Sequence, residues 1–183
     1  PESGMNQSVT IVPLFDEAAI AAANEAIARA VVAAQPQNLL VIAVLKGSFM
    51  FAADLIRALH RAGLAPQVEF VQLSSYQDGF VSSGTVNVVK DIDSDVKDRD
   101  VLLIDDILES GRTLLFAKEL LYSRGARNVS IAVLLDKSVK RKVDLEADFV
   151  GFECPDYFVV GYGMDVAHAF RELPFVGIVK GDA

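Results

Sequence analysis

Aliphatic runs without charge alternate with amphipathic stretches along most of the chain. Leu39–Leu45, Val101–Ile104 and Val129–Leu135 are short and almost purely apolar. Such runs are typical of strands that are buried on both faces of a parallel sheet. Asp16–Ala34 and Phe49–Arg61 instead carry apolar residues at helical spacing. The alternation predicts an α/β fold with a mostly parallel central sheet flanked by helices.

The remaining segments are shorter or more polar. Further short strands are predicted at Val9–Phe15, Val68–Leu73, Phe149–Phe152, Phe158–Val160 and Pro174–Lys180. Ser74–Lys90 is polar and contains glycine, so it is interpreted as a long polar loop, with a candidate returning strand at Val86–Val89. A loop of this length inside a compact α/β domain is usually a functional lid or a disordered segment.

The chain of 183 residues suits one compact domain. We assign residues 5–183 to a single domain with a core at about 39–136. Residues of about 5–15 and 137–183 would form a hood over one end of the sheet. Residues 1–4 precede Met5 and are interpreted as an expression remnant.

Composition narrows the classes of function. Hydrophobic residues make up 52% and charged residues 23% of the chain, as in globular rather than disordered proteins. The net charge of −8 argues against nucleic acid or an anionic membrane as a nonspecific partner. No secretory signal or membrane-spanning stretch is visible, and the single cysteine, Cys154, excludes an intrachain disulfide. A reducing, cytoplasmic location is therefore expected.

The most specific chemistry lies directly after the central aliphatic run. Asp105 and Asp106 end that strand, Glu109-Ser110-Gly111-Arg112-Thr113 follows, and a helical pattern begins at Leu114. Open α/β sheets bind ligands at the carboxyl ends of their strands. Backbone N–H groups at the start of the helix would face a phosphate, and the acids would bind sugar hydroxyls or, through water, a divalent cation. The alternative is a surface loop with an ordinary serine or threonine N-cap.

Two further strand ends would face the same crevice. Lys46-Gly47-Ser48 closes one aliphatic run, and Gly47 would permit close approach of the backbone to a ligand. Lys137 follows the run that ends at Leu135. Each signal is weak by itself, because a plain turn and a solvated lysine are the common alternatives. Their joint position in one parallel sheet favours a shared site.

The chain resembles the type I phosphoribosyltransferases and, within them, the 6-oxopurine class of hypoxanthine-guanine phosphoribosyltransferases. The matching segments are Leu45–Phe49, Ser75-Tyr76, Val101–Leu115, Leu135–Lys137, Asp148–Glu153, Pro155–Asp165 and Arg171–Pro174. The resemblance implies transfer of a 5-phosphoribosyl group from phosphoribosyl pyrophosphate to N9 of hypoxanthine or guanine. It also implies Mg²⁺ as the cofactor and a homodimer or a homotetramer.

The resemblance implies one set of residues for phosphoribosyl pyrophosphate. Its ribose hydroxyls, 5′-phosphate and pyrophosphate would be bound by Asp105, Asp106, Ser110, Gly111, Arg112, Thr113, Lys46, Gly47 and Arg171. Asp105 and Asp165 would hold Mg²⁺, and the Leu45–Lys46 peptide would be cis. Ser75 and Tyr76 would lie on a lid that excludes water from the reaction.

A second set of residues is implied for the purine. Lys137 would donate to the 6-oxo group, Phe158 would stack on the base, and the Val159 backbone would bond its edge. Asp165 is assigned to the same base site. Judged from the sequence alone, Phe158 would more often be a core residue than a stacking platform. Glu109 would take the proton from N7 as N9 attacks.

Glu109 departs from the family pattern, which usually has aspartate at this position. The added methylene either moves the loop so that the carboxylate still reaches N7, or it misplaces the base. A misplacement of about 1 Å can cost on the order of a hundredfold in rate. We expect retained activity. The alternatives are a xanthine-preferring relative and a weakly active regulatory nucleotide-binding member of the fold.

Overall fold

The computed structural model describes residues 9–78 and 81–181, with residues 75–78 and 81–84 described by their backbone alone. The residues interpreted as an expression remnant lie outside this part. The helices are α1 (Glu17–Ala33), α2 (Phe49–Arg61) and α3 (Arg112–Ser123). The strands are β1 (Thr10–Phe15), β2 (Leu40–Leu45), β3 (Gln67–Asp78), β4 (Val81–Lys90), β5 (Asp100–Leu108), β6 (Asn128–Asp136), β7 (Phe149–Glu153), β8 (Val159–Val160) and β9 (Val176–Lys180).

The main sheet has the strand order β4-β3-β2-β5-β6-β7. From β3 to β7 each strand runs parallel to its neighbours, whereas β4 pairs antiparallel with β3. The predicted fold class, a mostly parallel sheet flanked by helices, is confirmed. Because β2, β5 and β6 run in the same direction, their carboxyl ends lie together at one edge of the sheet.

Successive residues of β2 point to opposite faces of the sheet, which explains its unbroken apolar run. Leu40 and Ile42 pack in one buried cluster with Leu114 of α3. Val41 and Ala43 pack in the other buried cluster, which contains residues of α1 and α2. Both faces of the strand are therefore shielded from water, and a polar residue on either face would lose hydration.

The interpretation of Ser74–Lys90 as a long polar loop is wrong, whereas the candidate returning strand at Val86–Val89 is confirmed as part of β4. β3 continues to Asp78, and β4 begins at Val81 and pairs with it, with Gln77 opposite Ser82. Residues 85–90 of β4 are mostly exposed. A strand with water on both faces needs no alternation of apolar and polar residues, so the usual sequence signal of a strand is weak here.

A second, smaller sheet has the strand order β1-β9-β8. Thr10 lies opposite Lys180, and Val160 lies opposite Gly177, in antiparallel pairs. Val159 and Val176 belong to the same buried cluster as α1 and α2, which fastens this sheet to the core. In the part of the chain described here, no helix has the length and apolar character needed to cross a membrane.

Candidate active site

The carboxyl ends of β2, β5 and β6 carry the side chains of the candidate site. Lys46 and Gly47 follow β2, and the Leu45–Lys46 peptide is cis, as expected. A Cβ atom at Gly47 would overlap the Asp106 carboxylate of β5. With glycine at this position, the Asp106 carboxylate can lie directly against the backbone after β2, and a larger residue would displace that carboxylate.

The loop after β5 exposes the start of α3. Gly111 is the N-cap of this helix, with a left-handed φ of 86° that favours glycine. Neither Ser110 nor Thr113 is the N-cap, although Ser110 Oγ accepts a hydrogen bond of 3.3 Å from Arg112 N. These residues line a cavity of about 560 Å³, so the N-terminal end of the helix faces a space that an anion can occupy.

Asp105 and Asp106 line the same cavity as neighbouring carboxylates. Asp106 N donates a hydrogen bond of 2.9 Å to Asp105 Oδ1. Burial, followed by the negative charge of Asp106, raises the pKa of Asp105 well above its ordinary value. A ligand that donates hydrogen bonds or brings positive charge would favour the ionised form, so the pair suits a polyhydroxyl ligand or a cation.

Glu109 and Lys137 form an ion pair between the ends of β5 and β6, with 2.9 Å between Lys137 Nζ and Glu109 Oε1. Lys137 N also donates a hydrogen bond of 2.9 Å to Leu108 O. The lysine side chain is 5% exposed and the glutamate side chain 51% exposed, so Lys137 is not a solvated surface lysine. The pair presents one hydrogen-bond donor beside one acceptor.

Lys137 and Glu109 also line a second cavity, of about 380 Å³. Phe158 lines it and is 59% exposed, so it is not a core residue. Val159, which is buried in β8, lines the cavity next to it. An open aromatic face near a paired donor and acceptor is suited to a planar heterocycle.

Asp165 and Arg171 complete the lining of the second cavity. Arg171 Nη2 lies 3.2 Å from Asp165 Oδ2, and Arg171 Nη1 donates a hydrogen bond of 2.6 Å to Gly163 O. A Cβ atom at Gly163 would lie 2.5 Å from Gly47 O, so this segment packs directly on the loop after β2. Arg171 and Lys46 therefore bring two positive charges to one cavity.

The two cavities adjoin. Their shared wall is formed by Leu45, Gly47, Leu73, Asp106, Ile107 and Glu109. One molecule can therefore extend from the start of α3 to the exposed ring of Phe158. The sequence predicted this joint crevice from strand ends that lie far apart in the chain.

Known proteins with this organisation identify the family. A model of the phosphoribosyl transferase domain matches residues 14–167. The chain belongs to the phosphoribosyltransferase family. The hypoxanthine-guanine phosphoribosyltransferase of Bacillus subtilis is 48% identical over 141 residues, 77% of each chain, and that of Aquifex aeolicus is 47% identical over 144 residues, 79% of each. The crystal structure of a Staphylococcus aureus hypoxanthine phosphoribosyltransferase, 39% identical, matches with a TM-score of 0.86 over 92% of this chain and 90% of that one. The resemblance inferred from the motifs is confirmed.

Each predicted site residue outside the lid lines one of the two cavities of this phosphoribosyltransferase. The backbone of Ser75 and Tyr76 lies in β3, whereas their side chains lie outside the described part. The β3–β4 hairpin itself reaches the first cavity through Leu73, Thr85 and Val86. The assignment of Ser75 and Tyr76 to a lid stays a prediction.

Two lysines of the first cavity were not singled out by the sequence analysis. Lys140 and Lys142 line this cavity beside the start of α3, where they add positive charge. In the sequence they form one basic cluster with Arg141, and charge alone does not separate its members. Their position shortly after the end of β6 could have indicated that they lie at the site. In the sequence, only Lys137 was assigned to the site on this ground.

The predicted metal ligands lie on either side of the shared wall. Asp105 lines the first cavity and Asp165 the second. Among the described residues, no three or more His, Cys, Asp or Glu side chains are grouped so as to hold a metal ion. This donor set fits Mg²⁺, because proteins often bind that ion through one or two carboxylates together with substrate phosphates and water.

Proposed function

We propose that this enzyme transfers the 5-phosphoribosyl group of phosphoribosyl pyrophosphate to N9 of hypoxanthine, guanine or both. The products are IMP or GMP and pyrophosphate, which is the reaction of purine salvage. The observation that carries the proposal is the Glu109–Lys137 pair, which lines the second cavity, with Glu109 also on the wall shared with the first. The hypoxanthine-guanine phosphoribosyltransferases to which the chain is 47–48% identical support the same reaction.

The pair is complementary to one edge of a 6-oxopurine. On that edge the O6 acceptor lies beside N7, which carries a proton in one tautomer of the free base. Lys137 would donate to O6, and the Glu109 carboxylate would accept from N7–H. A 6-aminopurine places a donor opposite the lysine instead, so the same geometry disfavours adenine, since a buried donor would be left unpaired.

The rest of the second cavity would hold the base in place. Phe158 offers an exposed ring for stacking, and Val159 offers backbone groups for the edge of the purine on the side of its 2-position. We assign Asp165 to the same region. These contacts orient N9 toward the first cavity, where the sugar would lie.

Phosphoribosyl pyrophosphate would span the shared wall. Its 5′-phosphate would lie at the start of α3, against backbone N–H groups and hydroxyls of the segment 110–113. Asp105 and Asp106 would accept hydrogen bonds from the ribose hydroxyls. Lys46, Gly47 and Arg171 would bind the pyrophosphate from the second cavity.

The reaction forms a bond from N9 to C1 of the ribose and breaks the bond from C1 to the pyrophosphate oxygen. Negative charge grows on the leaving group, where Lys46 and Arg171 would stabilise it. Glu109 would take the N7 proton as N9 attacks, so that the nucleotide leaves as a neutral purine. Mg²⁺, held by Asp105 and Asp165 together with the substrate, would neutralise charge on the pyrophosphate. A lid that includes Ser75 and Tyr76 would exclude water from the activated sugar.

A turnover assay tests this proposal. Hypoxanthine, guanine, xanthine and adenine are each supplied with phosphoribosyl pyrophosphate and Mg²⁺, with a parallel series in EDTA. We expect nucleotide formation from hypoxanthine or guanine, far less from adenine, and none in EDTA. Faster turnover of xanthine would favour the xanthine-preferring alternative. Tight binding of nucleotide with no turnover of any base would favour the regulatory alternative and refute the enzyme.

We also propose a homodimer or a homotetramer in the cytoplasm, on the basis of the family resemblance and the single cysteine. Light scattering of the purified protein measures the assembly directly. A monomer at micromolar concentration would contradict this part of the proposal without affecting the reaction.

A further inference from the structure

We propose that Arg141 is a positioning residue that fixes Glu109 relative to Lys137, an inference that rests on the function proposed for that pair. Arg141 lies after the end of β6, and its side chain is only 11% exposed. Its guanidinium donates hydrogen bonds to Glu109 O at 3.1 Å, to Leu145 O at 2.7 Å and to the Asp136 carboxylate. One largely shielded side chain thus joins three segments of the chain.

The two partners on the site side are directly connected to the reacting groups. Glu109 is the proposed base, and Arg141 binds its carbonyl oxygen, which leaves the carboxylate free for Lys137. Asp136 precedes Lys137 in the chain, and Asp136 O accepts a hydrogen bond of 2.8 Å from Cys154 N. The guanidinium therefore links the backbone of the base to the strand end that carries the lysine.

Arg141 also supports the phosphate-binding loop from behind. A Cβ atom at Gly111 would lie 3.1 Å from Arg141 Cδ and 2.9 Å from Val143 Cγ2, so the aliphatic stem packs against this glycine. Lys142 N donates a hydrogen bond of 2.9 Å to Ser110 O. The segment after β6 thus holds the loop at successive residues, and at positions 137–145 Arg141 is the least exposed cation after Lys137.

Arginine is suited to this role in a way that lysine is not. The guanidinium is planar and donates in several fixed directions, whereas an ammonium group is a compact charge on a flexible stem. A lysine at this position would keep the positive charge beside Asp136 but could not reach the carbonyls of Glu109 and Leu145 in the same geometry. Arg141→Lys therefore separates positioning from charge.

The test compares turnover of the wild type with that of Arg141→Lys and Arg141→Ala. We expect kcat to fall about tenfold to a hundredfold in Arg141→Lys, because a displaced base loses rate steeply with distance, while KM for the purine changes little. Guanidinium ion at millimolar concentration should restore part of kcat in Arg141→Ala and leave the wild type unchanged. If Arg141 only stabilised the fold, kcat per folded molecule would not fall in the variants, and guanidinium ion would not restore it.

Arg127→Met is the matched control. Arg127 makes two hydrogen bonds of 2.8 Å to Asp100 at the opposite end of the sheet, far along β5 from the site. Its loss should lower Tm and leave kcat unchanged. Equal loss of kcat in Arg127→Met and Arg141→Lys would show that general destabilisation, rather than positioning, lowers the rate.

Hydrogen exchange of the segment 108–113 supplies a measurement that needs no turnover. In the substrate-free protein we expect exchange in this segment to be about tenfold faster in Arg141→Lys than in the wild type, as for the loss of one hydrogen bond. If no purine is turned over by the wild type, the proposed function fails, and this measurement still decides whether Arg141 holds the loop. Unchanged exchange, or a kcat of Arg141→Lys within about twofold of wild type, would overturn the inference.

Discussion

β5 begins with Asp100 and carries Asp105 in its second half, close to the site, and the surroundings of the two aspartates are opposite in kind. At the start of the strand, the Asp100 side chain is 8% exposed and accepts two hydrogen bonds of 2.8 Å from Arg127 and one of 2.7 Å from Gln37 N. The hydrogen bonds of Arg127 lower the pKa of Asp100, against the effect of burial. At the other end, the neighbour of Asp105 is a second carboxylate, and its pKa is raised.

The difference distinguishes a group that stabilises the fold from a group whose hydrogen-bonding and charge are satisfied only when a ligand binds. Asp100 is satisfied within the protein, so it favours the folded state. Asp105 is left beside a like charge, which costs stability until a ligand or a cation arrives. Active sites commonly retain such unfavourable arrangements because the reaction needs them. The same strand thus shows which of its two ends is the functional one.

The largest expected effect comes from Glu109→Gln, at the site end of β5. Glutamine keeps an oxygen that can accept from Lys137 but is a poor proton acceptor. We expect kcat to fall about 10²- to 10⁴-fold, with KM and Tm little changed. Steady-state kinetics with hypoxanthine measure this. Unchanged turnover would show that Glu109 is not the base.

Lys137→Met has the next largest effect. It removes the donor to O6 and keeps most of the buried aliphatic stem. KM for a 6-oxopurine should rise about tenfold to a hundredfold, as expected for loss of a hydrogen bond from a charged group. KM for phosphoribosyl pyrophosphate should not change. Equal purine affinity in wild type and variant would remove Lys137 from the base site.

Asp100→Asn and Asp105→Asn test the comparison directly. Asp100→Asn should destabilise the protein by about 1–3 kcal/mol through weaker bonds to Arg127, with kcat unchanged. Asp105→Asn should instead raise stability at neutral pH by about 1 kcal/mol, because it removes a charge repulsion, while turnover is lost. Urea unfolding and kinetics measure both. A loss of stability in both variants would break the comparison.

The same pair predicts opposite dependences on pH. Folded Asp105 has a pKa above the ordinary value of 3.8, so between 3.8 and the folded pKa the folded state binds more protons than the unfolded state. The free energy of unfolding therefore falls as pH rises through this interval. Folded Asp100 has a pKa below 3.8, so its stabilisation is complete above 3.8 and is lost as pH falls below it. In urea titrations across these intervals, the advantage of Asp105→Asn should grow with rising pH. The loss of unfolding free energy caused by Asp100→Asn should become smaller as pH falls below 3.8.

Much of this architecture could be predicted from the sequence, because buried parallel strands such as β2 are apolar at every position. The acidic end of β5 was recognisable for a similar reason, since carboxylates directly after such a run have little structural explanation. The hairpin of β3 and β4 was misjudged, because the polar residues and glycines of Ser74–Gly84 indicated a loop. Residues 85–90 of β4 are mostly exposed and do not form the buried apolar run that marks β2, β5 and β6.

Pairings between residues distant in sequence could not be predicted. Asp100 and Arg127 are 27 residues apart, and Glu109 and Lys137 are 28 residues apart. Spacing along the chain carries no information about such contacts, which depend on the register between β5 and β6. Arg141 could not be distinguished from the other residues of its basic cluster either, because its burial is set by the fold and not by its neighbours in the sequence.

The small sheet has a consequence for how the protein is made. β8 carries Val159 to the base side of the crevice, and its neighbour in that sheet is β9, which in turn pairs with β1. A ribosome produces β1 early and β9 late, so β1 must remain without its partner through most of translation. The phosphate side depends on β2, β5, α3 and the segment after β6, all of which precede β8 and β9 in the chain. The phosphate side of the crevice can therefore be completed earlier in synthesis than the base side.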